Sequence, residues 1–435
     1  MRAGIPRCRQ PERHAPHRRF FRAYGYGSER GSANRSSESD KLFVVFKPPS
    51  TRRELIRTLA TGAGCIASSA ASAASPAARV IRVRTISKRP DLYHGWPTVA
   101  RRSNGELIVV CSGGRQGHVC PFGWVEMMRS RDGGESWSWP RILTDSAIDD
   151  RDAGVCETAE GSLLVTTFTS LAYVEYLNQA EAGTSDRFTD WTAERISAWQ
   201  SAHARMSAAE RERMLGTWML RSTDAGVTWS APYRVPVNSP HGPIALSDGR
   251  IIYAGKRLWH EERRIGVAES RDDGMTWRWL AEIPTRGGDD FAEYHELHIA
   301  EAADGRLVVQ IRNHNKSNER EMLQTESDDG GLTWSTPYAT GVWGLPSHLL
   351  RLRDGRLLMS YGHRRQPFGN QARLSEDSGV SWSGPMTLSD DGEGGDLGYP
   401  STVELDDGSL VTIWYERMAG SPYAVLRQAT WRVSG

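Results

Sequence analysis

Six short polar segments, each lying just ahead of an apolar strand, hold most of the side chains that could do chemistry. They are His94-Gly95-Trp96-Pro97, Asp150-Arg151-Asp152, Pro240-His241, Tyr294-His295-Glu296, Pro346-Ser347-His348 and Gly398-Tyr399-Pro400. Imidazoles and carboxyls can carry protons, and Tyr adds a hydroxyl. A single polar loop residue is ordinarily solvated or caps a strand, so His94, His241, His295, His298 and His348 carry little weight one at a time. Six such segments brought to one face read as a site. No spacing of His, Asp and Glu matches a recognised metal motif, so neither an essential metal nor another cofactor is expected.

The positioning elements are legible as two interlocked repeats. Each polar segment leads into an apolar strand, a tight turn and a second apolar strand. The first case runs from Thr98-Val99-Ala100 through Asn104-Gly105 to Leu107-Ile108-Val109-Val110. The others turn at Glu160-Gly161, Asp248-Gly249, Asp304-Gly305, Asp354-Gly355 and Asp407-Gly408. Asn-Gly and Asp-Gly between apolar runs are hairpin signals, and six of them predict six units.

The second repeat is S-x-D-x-G-x-x-W, as in Ser130-Arg131-Asp132-Gly133-Gly134-Glu135-Ser136-Trp137. It recurs from Ser222 to Trp229, Ser270 to Trp277, Ser327 to Trp334 and Ser375 to Trp382. Successive starts are 92, 48, 57 and 48 residues apart, and a unit of about 50 residues suits a four-stranded propeller blade. In each copy Asp can bond backbone N–H groups of its own turn, Gly supplies a positive φ and Trp buries a broad face. The prediction is an all-β, six-bladed β-propeller over residues 79–435. Only five boxes occur because the sixth blade runs out of chain after its third strand, Tyr423 to Trp431. Arg79 to Ile86 is the natural donor of its fourth strand, closing the ring and removing its open edges. In such a ring the segments leading into the innermost strands gather about the central axis at one face. The 92-residue gap holds a helical insertion, 177–214, including Trp191 to Trp199 and the capping box that opens Ser207 to Met214. It is expected as a helical pair projecting from blade two, either bracing the propeller or walling a substrate site.

The repeated box resembles the Asp-box, or BNR repeat, of the sialidase superfamily. That resemblance implies a Tyr nucleophile whose proton is taken by a Glu, an Asp acid/base, and three Arg that hold a substrate carboxylate. A neutral Tyr suits a substrate whose own carboxylate would repel an acidic nucleophile. On the family's pattern Tyr399 falls on the nucleophile, Glu296 on the Glu, Arg312 on the second Arg, and Arg364 or Arg365 near the third. Glu416 resembles the acid that steadies the first Arg. Two positions depart from the pattern. The first Arg belongs to an R-I-P tripeptide, and here the matching stretch is Gly95-Trp96-Pro97. The acid/base Asp falls on His118, which follows Gly113-Gly114-Arg115. That exchange keeps a proton carrier but moves its ordinary pKa from about 3.9 to about 6.5.

The expected catalytic set is therefore Tyr399, Glu296 and His118. The expected substrate-binding set is Arg312, Arg364, Arg365, Arg115, Asp152, His94, His241 and Glu416. Read without the resemblance, Tyr399 could pack beside Pro400 and Glu296 could form a plain ion pair with Arg312. The function implied is an exo-acting glycoside hydrolase removing a terminal acidic sugar, of sialic acid or uronic acid type, from a glycan. Two rivals stand beside it. One is a lyase cleaving next to a uronic acid with His118 or Tyr399 as base; the other is a catalytically silent glycan-binding propeller.

Charge argues against nucleic acid as a partner. The chain carries 54 Lys and Arg against 53 Asp and Glu, but the first 73 residues hold 14 of the former and only 5 of the latter. Residues 74–435 are left with 40 against 48, a net of −8, whereas phosphate binding relies on clustered cations. Within residues 50–73, Thr51-Arg52-Arg53 precedes a weakly apolar, small-residue run that ends in Ala71-Ser72-Ala73. That is the layout of a bacterial twin-arginine signal with an A-x-A cleavage site, so a periplasmic or secreted protein is expected. Residues 1–49 are Arg- and Ser-rich and patternless, and translation is expected to begin near Leu42 to Val45. A precursor peptide from upstream of Leu42 would refute that start. No apolar stretch approaches the roughly 20 residues of a membrane span. Cys111, Cys120 and Cys156 are odd in number and read as small buried thiols rather than a disulfide framework.

Overall fold

The computed structural model describes residues 75–434; the signal-like segment and the residues before it lie outside them. All six expected turns form, and their glycines Gly105, Gly161, Gly249, Gly305, Gly355 and Gly408 have φ between 77° and 93°. Such φ values exclude most side chains, which is why the turns are written with Gly. Each hairpin opens a four-stranded antiparallel sheet, and six sheets follow one another as the blades of a propeller. The innermost strands are Tyr93–Arg101, Asp149–Glu157, Ile244–Ala245, Tyr294–Glu301, Ser347–Arg351 and Leu397–Glu404. The second strands, such as Leu107–Arg115 and Leu163–Ser170, are buried along their whole length. Neighbouring blades cover both of their faces, so these strands read as continuous apolar runs.

Ring closure follows the expected route. Ala77–Thr85 pairs antiparallel with the last strand, Ala424–Ser434, from Ala77 opposite Ser434 to Thr85 opposite Arg427. The five boxes join each blade to the one before it. In blade one, Ser130 Oγ donates to Asp132 Oδ1 (2.7 Å) and accepts from Gly134 N (2.8 Å), while Asp132 Oδ1 also accepts from Ser136 N (2.9 Å). Trp137 Nε1 then donates to Gln428 Oε1 of blade six (2.8 Å), and Trp382 Nε1 of blade five donates to Gln324 Oε1 of blade four (3.1 Å).

The insertion lies between the second and third strands of blade two. It holds three helices rather than a pair: α1 (Ala172–Ala182), α2 (Ala193–Ala204) and α3 (Ala208–Met214). The capping box at Ser207 and Glu210 forms with both reciprocal bonds. Helix α1 leaves no start signal in the sequence, because its N-cap is Leu171 and no side chain caps it. The insertion packs on the loop after Arg115: Val119, Cys120, Ile148, Leu171, Tyr173, Leu177 and Trp199 form one buried cluster. Trp199 Nε1 also donates to Gln116 Oε1 (3.0 Å). Cys111, Cys120 and Cys156 are free, buried thiols. No helix among the described residues is long and apolar enough to cross a membrane.

Candidate active site

Four inner strands are irregular where they enter the sheet. Register shifts fall between Gly95 and Thr98, Arg151 and Gly154, Tyr294 and Leu297, and Gly398 and Ser401. In three of these bulges a residue other than glycine has positive φ: Trp96 (53°), Asp152 (48°) and Tyr399 (52°). Each such conformation costs on the order of 1–3 kcal/mol, and strain of this kind collects where side-chain placement matters. Here it gathers residues of several blades. The rings of Trp96 and Tyr399 meet edge-on with centroids 6.5 Å apart, although their blades lie at opposite ends of the chain.

At the centre of the site is Tyr399. Its Oη donates to Glu296 Oε1 (2.6 Å) and accepts from Arg312 Nη1 (2.9 Å), and Arg312 Nη1 also donates to Glu296 Oε1 (2.8 Å). Burial pushes the Glu296 carboxyl up, but Arg312, His295 and the Tyr399 hydroxyl outweigh it and bring the pKa to about 2. Glu296 is therefore ionised and can take the phenol proton. The phenolate left behind would be met by Arg312 on its oxygen and by the Arg364 guanidinium, 5.5 Å from the ring centre. Base and cation thus converge on one hydroxyl, with a second cation beside its ring, the arrangement of an activated nucleophile.

Across the site is His118. Its Nδ1 lies 3.0 Å from Asp396 Oδ1 and 3.0 Å from Tyr93 Oη, and its ring sits edge-on to Trp96 at 5.0 Å. Burial lowers the His118 pKa, and the Asp396 carboxylate offsets part of that effect. Trp96 stands where the resemblance implies an Arg, flanked by the Arg115 and Arg151 guanidiniums at 4.9 and 4.4 Å from its ring. Asp152 is buried, its Oδ1 has no hydrogen-bond partner among the described residues, and burial drives its pKa up to about 7. His241 lies 6.4 Å from the Tyr399 ring and packs against His298 and His348 at the axis. Burial holds all three imidazoles neutral, His241 down to about 3.

Tyr399, Glu296, Arg312, Arg364, His118, Asp152 and His241 are thus brought together. Four other expected residues are engaged by protein partners. Arg115 is fully buried in a two-pronged pair with Asp149 (2.6 and 3.0 Å) and supports the His118 carbonyl (2.9 Å). His94 is bound within blade one, Nδ1 to the Leu92 carbonyl (3.0 Å) and Nε2 to Glu126 (3.3 Å). Glu416 is buried against Arg427 (3.2 Å) and accepts from Trp414 Nε1 (2.5 Å), so it steadies Arg427 rather than a substrate-binding Arg. Arg365 stacks on Trp343 at 4.2 Å. Sequence reasoning passed over Asp396 and Tyr93. The signal for Asp396 was its place three residues before Tyr399, but Asp390 to Asp396 reads as a solvated acidic loop.

Among the described residues, Glu293, His295 and His314 could gather around a metal ion. His314 Nε2 already accepts from Arg312 Nε (2.9 Å), and Lys256 and Arg312 both act electrostatically on His295. Two cations beside the cluster oppose a third.

Comparison with known proteins agrees with this architecture. The BNR repeat-like domain family matches residues 188–412, more than half of the chain. A sialidase of Bacteroides fragilis is 26% identical over 322 residues, covering 67% of this chain and 54% of the relative. A sialidase of Micromonospora viridifaciens is 27% identical over 209 residues, 39% of this chain and 31% of the relative. The chain thus spans about half the length of the Bacteroides relative and less of the other. Among solved structures, a protein of unknown function from Dyadobacter fermentans superposes with a TM-score of 0.65 at 20% identity, covering 82% of this chain and 99% of that one. A Hadza microbial sialidase superposes with a TM-score of 0.55 at 19% identity, covering 78% of this chain and 65% of that one. At such identities the structural likeness speaks for the fold alone. Repeat, ring and family match lead to one assignment: the chain is a member of the BNR repeat-like family, built on the six-bladed propeller of the sialidase superfamily.

Proposed function

We propose that the protein is an exo-acting glycoside hydrolase that removes a terminal acidic sugar from a glycan. The observation that carries this reading is the Tyr399 hydroxyl, 2.6 Å from Glu296 Oε1 with Arg312 Nη1 on the same oxygen. Two sialidases among the relatives support the substrate class. In this reading Glu296 takes the phenol proton as the Tyr399 oxygen bonds to the anomeric carbon. The bond from that carbon to the leaving oxygen breaks, and His118 supplies that oxygen with a proton. Water then displaces Tyr399 from the anomeric carbon, giving one proton to His118, and Tyr399 recovers its own from Glu296. Arg312 and Arg364 attract the sugar carboxylate. Trp96 in place of a third Arg leaves a weaker clamp, which suits a uronic acid as well as a sialic acid.

A lyase is the second reading, favoured by the lowered pKa of His118, since a neutral imidazole can abstract a proton. Product analysis in heavy-oxygen water separates the two. A released sugar carrying the label, and lost in Tyr399→Phe, is expected. An unlabelled product lighter by one water would establish the lyase and overturn the hydrolase. The twin-arginine segment would place this chemistry outside the cytoplasm, and an exported form beginning at Ala74 is the expected result of N-terminal sequencing.

A further inference from the structure

Asp396 has the contacts of a group that orients a proton carrier. Burial pushes its pKa up, but His118, Tyr93 and Arg364 outweigh that and hold it at about 2. An ionised carboxylate only accepts hydrogen bonds. A hydrogen bond between Asp396 Oδ1 and His118 Nδ1 (3.0 Å) is then one that the imidazole donates. Tyr93 Oη likewise donates to Oδ1 (3.0 Å) and Oδ2 (3.1 Å), and Tyr415 Oη donates to Oδ1 (3.2 Å). Both tyrosines are buried to within 1% of complete exclusion from solvent, so the carboxylate is aimed by two rigid rings.

The other end of His118 is fixed as well. Its carbonyl accepts from Arg115 Nη2 (2.9 Å) and Arg151 Nη1 (3.2 Å), and the edge of Trp96 limits the swing of its ring.

We propose that Asp396 is the positioning residue of the proton carrier: it holds His118 as the Nδ1–H tautomer, so that Nε2 is the atom that exchanges the proton, and it stabilises the imidazolium. This rests on the reading of His118 as the leaving-group acid. Three influences oppose a charged His118, namely burial, Arg151 and Arg115, and the Asp396 carboxylate favours it. Tyr93 and Trp96 are the neutral groups in contact with the ring, Asp149 neutralises Arg115, and Arg364 faces Asp396. The Asp396 carboxylate lies on the His118 ring nitrogen, and without it the imidazolium would lose a charge in its favour. The same division of labour, with a carboxylate behind an imidazole, orients the base in serine hydrolases.

The test uses the full chain, with Asp396→Asn and Tyr399→Phe compared on the 4-nitrophenyl and methyl glycosides of N-acetylneuraminic and glucuronic acids. A 4-nitrophenolate leaves without a proton, whereas methoxide does not. Asp396→Asn is expected to lose about 10²–10⁴-fold in kcat/KM on the methyl glycoside and less than about tenfold on the aryl one. The limb of the pH profile assigned to His118 is expected to move to lower pH. Equal losses on both substrates, or an unmoved limb, would overturn the proposal while leaving Tyr399→Phe inactive. Full activity of Tyr399→Phe would instead overturn the hydrolase reading. A measurement that needs no variant is nitrogen-15 NMR of the wild-type histidines. His118 is expected to carry its proton on Nδ1 at pH 8, and a proton on Nε2 there would refute the assignment.

Discussion

Replacing Glu296 by Gln separates the carboxylate's role as a base from its role as a partner of Arg312. The side chain keeps its shape and an oxygen that can accept from Arg312 Nη1, now 2.8 Å away, but the charge is gone. Two costs follow, and they fall on different measurements. Removing one charge from a buried pair commonly costs about 3–5 kcal/mol of stability; the retained acceptor puts the expected loss at the low end, about 3 kcal/mol. The chemical cost is that of a general base, about 10²–10⁴-fold in rate. At about 1.4 kcal/mol per factor of ten, that raises the barrier by about 3–5 kcal/mol. Urea unfolding reads the first cost, and kcat on an aryl sialoside or glucuronide under conditions where the variant is fully folded reads the second. A variant that is destabilised yet keeps more than a third of the wild-type kcat would refute the base assignment and leave Glu296 as a plain ion-pair partner. Because the Glu296 pKa is brought to about 2, the wild-type profile should show no carboxylate limb from this residue above pH 4.

The remaining predictions concern the scaffold. Ser130→Ala removes the acceptor of the buried Gly134 N–H and one donor to Asp132, so the first box should weaken the fold by about 1–3 kcal/mol in chemical denaturation; an unchanged midpoint would remove the boxes from the stability argument. His241, His298 and His348 are held neutral by burial, so the unfolded chain binds more protons than the native one below about pH 6.5. Stability should therefore fall on acidification, by about 1.4 kcal/mol per pH unit for His241 down to its native pKa of about 3, and His241→Gln should flatten that slope. Trp199→Ala empties the cluster beneath the His118 loop and breaks the bond to Gln116; kcat on glycosides with poor leaving groups should drop more than on aryl glycosides, and equal drops would make the insertion a general brace.

The Gly turns and the Ser–Asp–Gly–Trp boxes are local devices: Ser130, Asp132, Gly134 and Ser136 satisfy one another within seven residues. Their chemistry is therefore visible in a short window, and its recurrence counts the blades and locates the missing strand. The composition of the lead-in segments likewise pointed to the face where Tyr399 meets Glu296. What was written weakly was lost: α1 has no capping side chain, so its start was placed too late.

The site itself belongs to the tertiary structure. Tyr399 and Glu296 are 103 residues apart and His118 and Asp396 are 278 apart. No local pattern records that Arg364 faces the Tyr399 ring while Arg365 turns to Trp343. Nor does one record that Arg115 is used up on Asp149, or that a bulge with positive φ puts Trp96 against His118. The sequence alone determined the blades, because a hairpin closes on its own residues. Only the closed ring decided which polar side chains meet, because that depends on the packing of six blades about one axis.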